Sequence, residues 1–329
     1  MIVLRRNDIH FLFVYDSKAP PEKDEERRLR SEARAKNKDR VMRLQQLWDQ
    51  YKHDHTHIDL DSMQQEANAL LPIVKKVQSQ IVDDVELTIQ HMDNELQKLQ
   101  NTIFTITSED FELTKELFRI CRVPIMIAAG EAEATCAALN RAQTVSAVLT
   151  DDTDVLAYGS PIMLHRIQLE EECVIEIDYQ EVIRSLGISS SQFVDFCIMC
   201  GTDYNPNLPK IGPDRSLKLI RQYQSLEHIE ENVPSLPMHL LNYKRVRQIF
   251  SMKIGFDVEH QIISFCGFPD EKRLNAFLFT NNLKTNLQDV ISAFCTSTLH
   301  RFIYDDDNED FTLQQCTEKK KSNLLLLNN

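Results

Sequence analysis

Hydrophobic positions along this chain follow first one rhythm and then another. Residues 9–15 (Ile-His-Phe-Leu-Phe-Val-Tyr) are a short apolar, aromatic-rich run. Such a run predicts a buried strand ending at Asp16, and Ala19-Pro20-Pro21 then breaks it. Residues 22–47 are charged good helix formers and predict a helix, whereas 50–62 are polar and read as a loop. From 63 to 104 the apolar positions Val74, Val77, Ile81, Val85, Met92, Leu96, Leu99 and Ile103 recur at steps of three and four. That spacing predicts one long amphipathic helix or a hairpin of two.

Beyond residue 107 the two rhythms alternate. The pattern predicts a helix over 108–122 with Ser108 and Asp110 as caps, a strand over 123–128, a helix over 131–142 and a strand over 145–150. The acidic loop Asp151-Asp152-Thr153-Asp154 follows. A hairpin over 162–177, helices over 179–186, 190–200 and 213–223, and mostly helix to 300 complete the reading. The acidic run 305–310, Lys319–Lys321 and a Leu/Asn tail read as a frayed end. Strands alternating with helices make this an α/β chain.

Composition narrows the field. Seven glycines, none before Gly130, leave no Gly-rich phosphate loop of the P-loop or Rossmann type. No apolar run approaches the roughly 20 residues of a membrane span, so no membrane partner is expected. The start lacks the apolar core of a secretory signal, and eight scattered cysteines read as reduced thiols in an intracellular compartment. The net charge of −13 argues on its face against nucleic acid. The charge is uneven, however. Residues 18–43 hold ten basic and six acidic groups, and 210–253 hold eight and four.

The acidic residues fall at telling places. Asp16 follows one predicted strand, Glu131 and Glu133 a second, and Asp152 and Asp154 a third. In an open parallel sheet such positions converge on the carboxyl edge. Convergent carboxylates repel unless cations sit among them, and an all-oxygen donor set favours Mg²⁺ or Mn²⁺. Each residue taken alone has a plainer reading as a helix-start or turn residue. His53, His55 and His57 read as an exposed polar run, Cys197 and Cys200 as buried thiols, and Trp48 as packing.

Three long motifs resemble the flap endonuclease/XPG family of structure-specific 5′ nucleases. They are GEAEATCAALNRAQTVSAVLTDDTDVLAYGSP (130–161), SQFVDFCIMCGTDYNPNLPKIGPDRSLKLI (191–220) and VYDSKAPPEKDEERRLRSEARAK (14–36). The resemblance implies a PIN-like, mainly parallel sheet flanked by helices, a long helical arch and a helix–two-turn–helix segment. By its motifs it implies Asp16, Glu131, Glu133, Asp152, Asp154 and Asp203 as ligands of two Mg²⁺ ions, with Mn²⁺ as a substitute. It implies Lys23 and Arg30, seven apart on one helix face, as catalytic basic residues. At the 208–213 turn it implies duplex contact by Lys210, Gly212, Arg215 and Lys218, with Lys244, Arg245 and Arg247 nearby, and a monovalent cation. Gly212 is expected to supply the permissive backbone of that turn, and Lys210 stands where the family usually has glycine.

The implied organisation is a remnant of the N-terminal nuclease region over 1–16, an extended arch over 17–107 and an internal nuclease region over 108–190. A helix–two-turn–helix and helical part over 191–300 and a flexible tail over 301–329 follow. The family begins with a strand bearing a further Asp, and only fifteen residues precede Asp16; the start reads as truncated, by gene-model error or genuine loss, and genuine loss implies an unfilled slot in the sheet and a missing metal ligand. The implied reaction is hydrolysis of DNA near single-strand/duplex junctions in replication or repair, in the nucleus or, for a viral member, the host nucleus or cytoplasm. The partners implied are branched or flapped DNA and no sliding clamp, the protein acting as a monomer. RNA as substrate, and junction binding without cleavage, remain open alternatives.

Overall fold

A computed structural model describes residues 1–53, 93–94, 96–101, 103, 106–168, 173–251, 263–295 and 324–328. The first apolar run forms β1 (His10–Tyr15). Its period of two sends Leu12 and Val14 into one core and Phe11 and Tyr15 into another, so both faces are covered. The strands that follow are β2 (Ile125–Ile127), β3 (Ala147–Leu149), β4 (Ile162–Gln168), β5 (Cys173–Asp178) and β6 (Leu324–Asn328). They form one sheet in the order β2-β1-β6-β3-β4-β5. Every neighbouring pair is parallel except the β4–β5 hairpin.

The tail departs from the reading of its sequence. Leu324–Asn328 is not a frayed end but a central strand, paired with β1 on one side and β3 on the other. The space between β1 and β3 is therefore filled. Four consecutive leucines are the near-continuous apolar composition common in strands of parallel sheets.

The helices are α1 (Ile2–Arg6), α2 (Asp24–His53), α3 (Ser108–Ile120), α4 (Ala132–Arg141), α5 (Asp154–Ala157) and α6 (Tyr179–Leu186). Then come α7 (Ser190–Cys200), α8 (Pro213–Tyr223), α9 (Leu226–Asn232), α10 (Tyr243–Ser251), α11 (Glu271–Thr280) and α12 (Leu287–Cys295). Residues of α4 to α10 pack on the Leu12, Val14, Val148 and Met163 face. Residues of α1, α3, α11 and α12 cover the Phe11, Tyr15 and Ala147 face. No helix of the described residues is long and apolar enough to cross a membrane.

Two compact units result, one of residues 1–23 with 109–329 and one of 24–108. In the second unit α2 runs past the expected stop at 47, to His53. Trp48 is buried there and its Nε1–H donates to Asp93 at 2.6 Å. Most of the polar loop and of the 63–104 amphipathic segment, with His55 and His57, lies outside the described residues.

Candidate active site

The sheet's carboxyl edge gathers acidic residues from separate elements. Asp16 follows β1, and its Oδ1 accepts the Ala132 N–H at the start of α4, 2.7 Å away. Glu131 is the N-cap residue of that helix, Glu133 lies in its first turn, and both are buried. Helix N-termini favour such anions. Past β3, the Asp152 N–H donates to Thr150 Oγ1 and the Asp154 N–H to Asp152 Oδ1. Asp203 follows α7 through Gly201, which has φ +90° and would drive a Cβ to 2.9 Å from the Asn207 backbone nitrogen. Only glycine fits that corner.

Lys23 ties the cluster together. It closes a 3₁₀ turn (Pro21–Lys23) ahead of α2 rather than riding on the helix itself. Its Nζ lies 2.9 Å from Glu131 Oε2 and 3.1 Å from Asp203 Oδ2. Burial works against its charge, but the bonds and charges of Glu131 and Asp203 outweigh it and hold the ammonium above its ordinary pKa. The carboxylates feel one another. Burial and the charges of Asp152, Asp203 and Glu133 push Asp154 up to about 7, against the pull of Lys23. Partial burial and the Glu131 and Asp152 charges raise Asp16, although the Ala132 N–H works the other way. Arg30 belongs to the other unit, where it pairs with Glu26.

These donors suit divalent cations by their chemistry. All are hard oxygens, and six carboxylates outnumber the one ammonium that bonds two of them. As the side chains stand, no three His, Cys, Asp or Glu groups among the described residues are close enough to hold an ion. Lys23 bridges two of the carboxylates instead.

The basic residues divide into two kinds. Lys210, Arg215 and Lys218 are exposed on the turn before α8 and on its outer side, and Lys244 is exposed on α10. Arg247 is committed elsewhere: its guanidinium grips buried Asp195 at 2.5 and 2.7 Å and Glu227 at 2.5 and 2.9 Å, locking α10 to α7 and α9. Arg245 Nε donates to Glu22 at 2.6 Å. Neither is presented as a free phosphate contact. The expectation for Gly212 is corrected too. It has φ −96° and ψ 179°, extended backbone that any residue adopts, with nothing within 4 Å of an added Cβ. The residue in the left-handed region is Lys210, at φ +63°.

The family model of the XPG I-region matches residues 122–203. Probable RAD2-like endonuclease 076L of Invertebrate iridescent virus 3 is 30% identical over 303 residues, covering 84% of this chain and 78% of that protein. The chain belongs to the flap endonuclease/XPG family. Probable RAD2-like endonuclease 369L of Invertebrate iridescent virus 6 is 31% identical over 75% of this chain and 62% of its own length. Flap endonuclease 1 of Xenopus tropicalis is 35% identical over 56% of this chain, which spans 49% of it. The chain thus covers from about half to about four-fifths of these relatives. Among solved structures, the catalytic core of Rad2 in complex with DNA substrate superposes with TM-score 0.57 at 18% identity, over 89% of this chain and 81% of that one. That likeness agrees with the expected PIN-like α/β fold.

Two members of the site escaped the sequence reading. The Tyr204 hydroxyl donates to Glu131 Oε2 at 2.7 Å, and the Tyr158 and Tyr204 hydroxyls lie 2.8 Å apart. Both tyrosines are buried. Burial comes first among the causes that raise their pKa values, so both stay protonated. Their signal was adjacency, since Tyr204 follows Asp203 directly and Tyr158 lies one helical turn beyond Asp154.

Proposed function

We propose that this family member is a metal-dependent, structure-specific nuclease that hydrolyses DNA phosphodiester bonds near single-strand/duplex junctions. The observation that carries the reading is the under-neutralised carboxylate cluster at the sheet's carboxyl edge, in the same unit as an exposed row of basic residues at 210–218. Asp16, Glu131, Glu133, Asp152, Asp154 and Asp203 would hold two Mg²⁺ or Mn²⁺ ions, which supply an ionised water at neutral pH and support the leaving oxygen.

The chain's own residues do the rest. Lys23 stays charged throughout the physiological range and is the proposed source of positive charge for the scissile phosphate. Tyr204, backed by Tyr158, donates to Glu131 and fixes the orientation of that carboxylate. Lys210, Arg215, Lys218 and Lys244 contact duplex phosphates, which positions the substrate without reading its sequence. The turn at 208–213 offers backbone groups to a monovalent cation. Replication or repair in a nucleus, or in a host cell, is the setting that fits the named relatives.

The test is cleavage of a 5′-flap duplex by purified protein in Mg²⁺, with an RNA flap of the same sequence as a second substrate. DNA cleavage lost in Asp152→Ala supports the assignment. Undiminished cutting by that variant, or cutting of RNA alone, overturns it.

A further inference from the structure

β1 and β3 do not pair with each other; among the described residues β6 is the ladder that joins them. His10 to Val14 pair with Leu324 to Asn328, and Ala147 to Leu149 pair with Leu325 to Leu327. At strand spacing this places β1 and β3 roughly 10 Å apart, with one strand between. The carboxylate cluster divides along the same seam. Asp16 leaves β1, and Glu131 and Glu133 follow β2, which pairs with β1. Asp152 and Asp154 leave β3.

We propose that the strand Leu324–Asn328 is a positioning element of the active site. Docked between β1 and β3 from within the same chain, it sets the separation of the two halves of the carboxylate cluster, and hence cation affinity. The positioning half of this proposal rests on the cation-ligand reading above; the docking half does not. A segment remote in sequence from every acidic residue of the site thus governs it through backbone hydrogen bonds.

The backbone supplies the test. Leu326 is paired on both sides, opposite Leu12 and Val148. Leu326→Pro removes a ladder N–H in a central strand, where proline is not accommodated. Leu324→Pro, at the first residue of the strand, is the tolerated control. Leu326→Gly is a milder second variant should the first fail to fold. Full-length proteins are compared by hydrogen exchange at residues 11–14 and 147–149, with 190–200 as an internal reference. Mn²⁺ binding is measured by electron paramagnetic resonance without nucleic acid.

Leu326→Pro or Leu326→Gly is expected to speed exchange in β1 and β3 at least about tenfold, spare 190–200, and weaken Mn²⁺ binding about tenfold or more, while Leu324→Pro changes neither. Unchanged exchange in β1 and β3 overturns the docking. Faster exchange with unchanged Mn²⁺ affinity overturns the positioning role. Protection in β1 that falls on dilution of the wild-type protein assigns the strand to a second copy and overturns the same-chain docking. Wild-type protein that binds no Mn²⁺ sinks the cation reading and with it the positioning role, and exchange then still decides the docking.

Discussion

At the sheet's carboxyl edge, buried and half-buried carboxylates from separate elements share the Lys23 ammonium between them. On α10 one guanidinium likewise meets two carboxylates, but Arg247 bonds both oxygens of Asp195 and both of Glu227. Both regions carry dense charge near the core, yet at the sheet edge six candidate carboxylates gather around one ammonium that bonds two of them, whereas on α10 both carboxylates are held by two bonds each. The sign of a side chain therefore says little about its role here, and its partners say much. An under-neutralised cluster costs stability and is tolerable where cations enter. A satisfied buried pair holds helices together and is costly to break.

The sharpest way to break the comparison is to remove one side of each region. Asp152→Ala should cut 5′-flap cleavage at least about a thousandfold, about 4 kcal/mol of barrier, while urea unfolding shows stability unchanged or raised because a repulsion is relieved. Arg247→Met should do the opposite. It leaves Asp195 buried and uncompensated, so urea unfolding should show a loss of about 3 kcal/mol. Lys218→Met, by contrast, should leave stability within about 0.5 kcal/mol and lower the salt dependence of duplex binding by about one phosphate contact.

Two further effects sharpen the picture. Tyr204→Phe removes a donor from buried Glu131 and should cost about 1–2 kcal/mol in chemical denaturation, with a lower kcat and an unchanged KM for flap DNA. Lys210→Gly should be a small change in the opposite direction. It relieves a left-handed residue and should stabilise by no more than about 1 kcal/mol by thermal unfolding, while duplex affinity falls with the lost charge.

Much of the site could be read along the chain because its elements are local. The EAE and DxD motifs each lie within a few residues of one strand end, and the strand–helix alternation around them is a short-range pattern. Residues 123–128 and 145–150 were legible as strands for that reason, although the ladders hold only Ile125–Ile127 and Ala147–Leu149. The tyrosine relay was not legible, because Tyr158, Tyr204 and Glu131 meet only through folding. Nor could the sequence separate Arg247 from Lys218, since the partners of Arg247 lie 20 and 52 residues away.

By itself the sequence determined the fold class, the family and the order of the acidic residues along the chain, because hydrophobic period and short motifs act over a few residues. Only the tertiary structure decided that Lys23 bridges Glu131 and Asp203, that Lys210 rather than Gly212 bears the left-handed turn, and that the leucine tail is a central strand. Each of these depends on which distant backbone or charge arrives as a neighbour. A run of four leucines carries no information about the two strands it will join until both are in place to offer their hydrogen bonds.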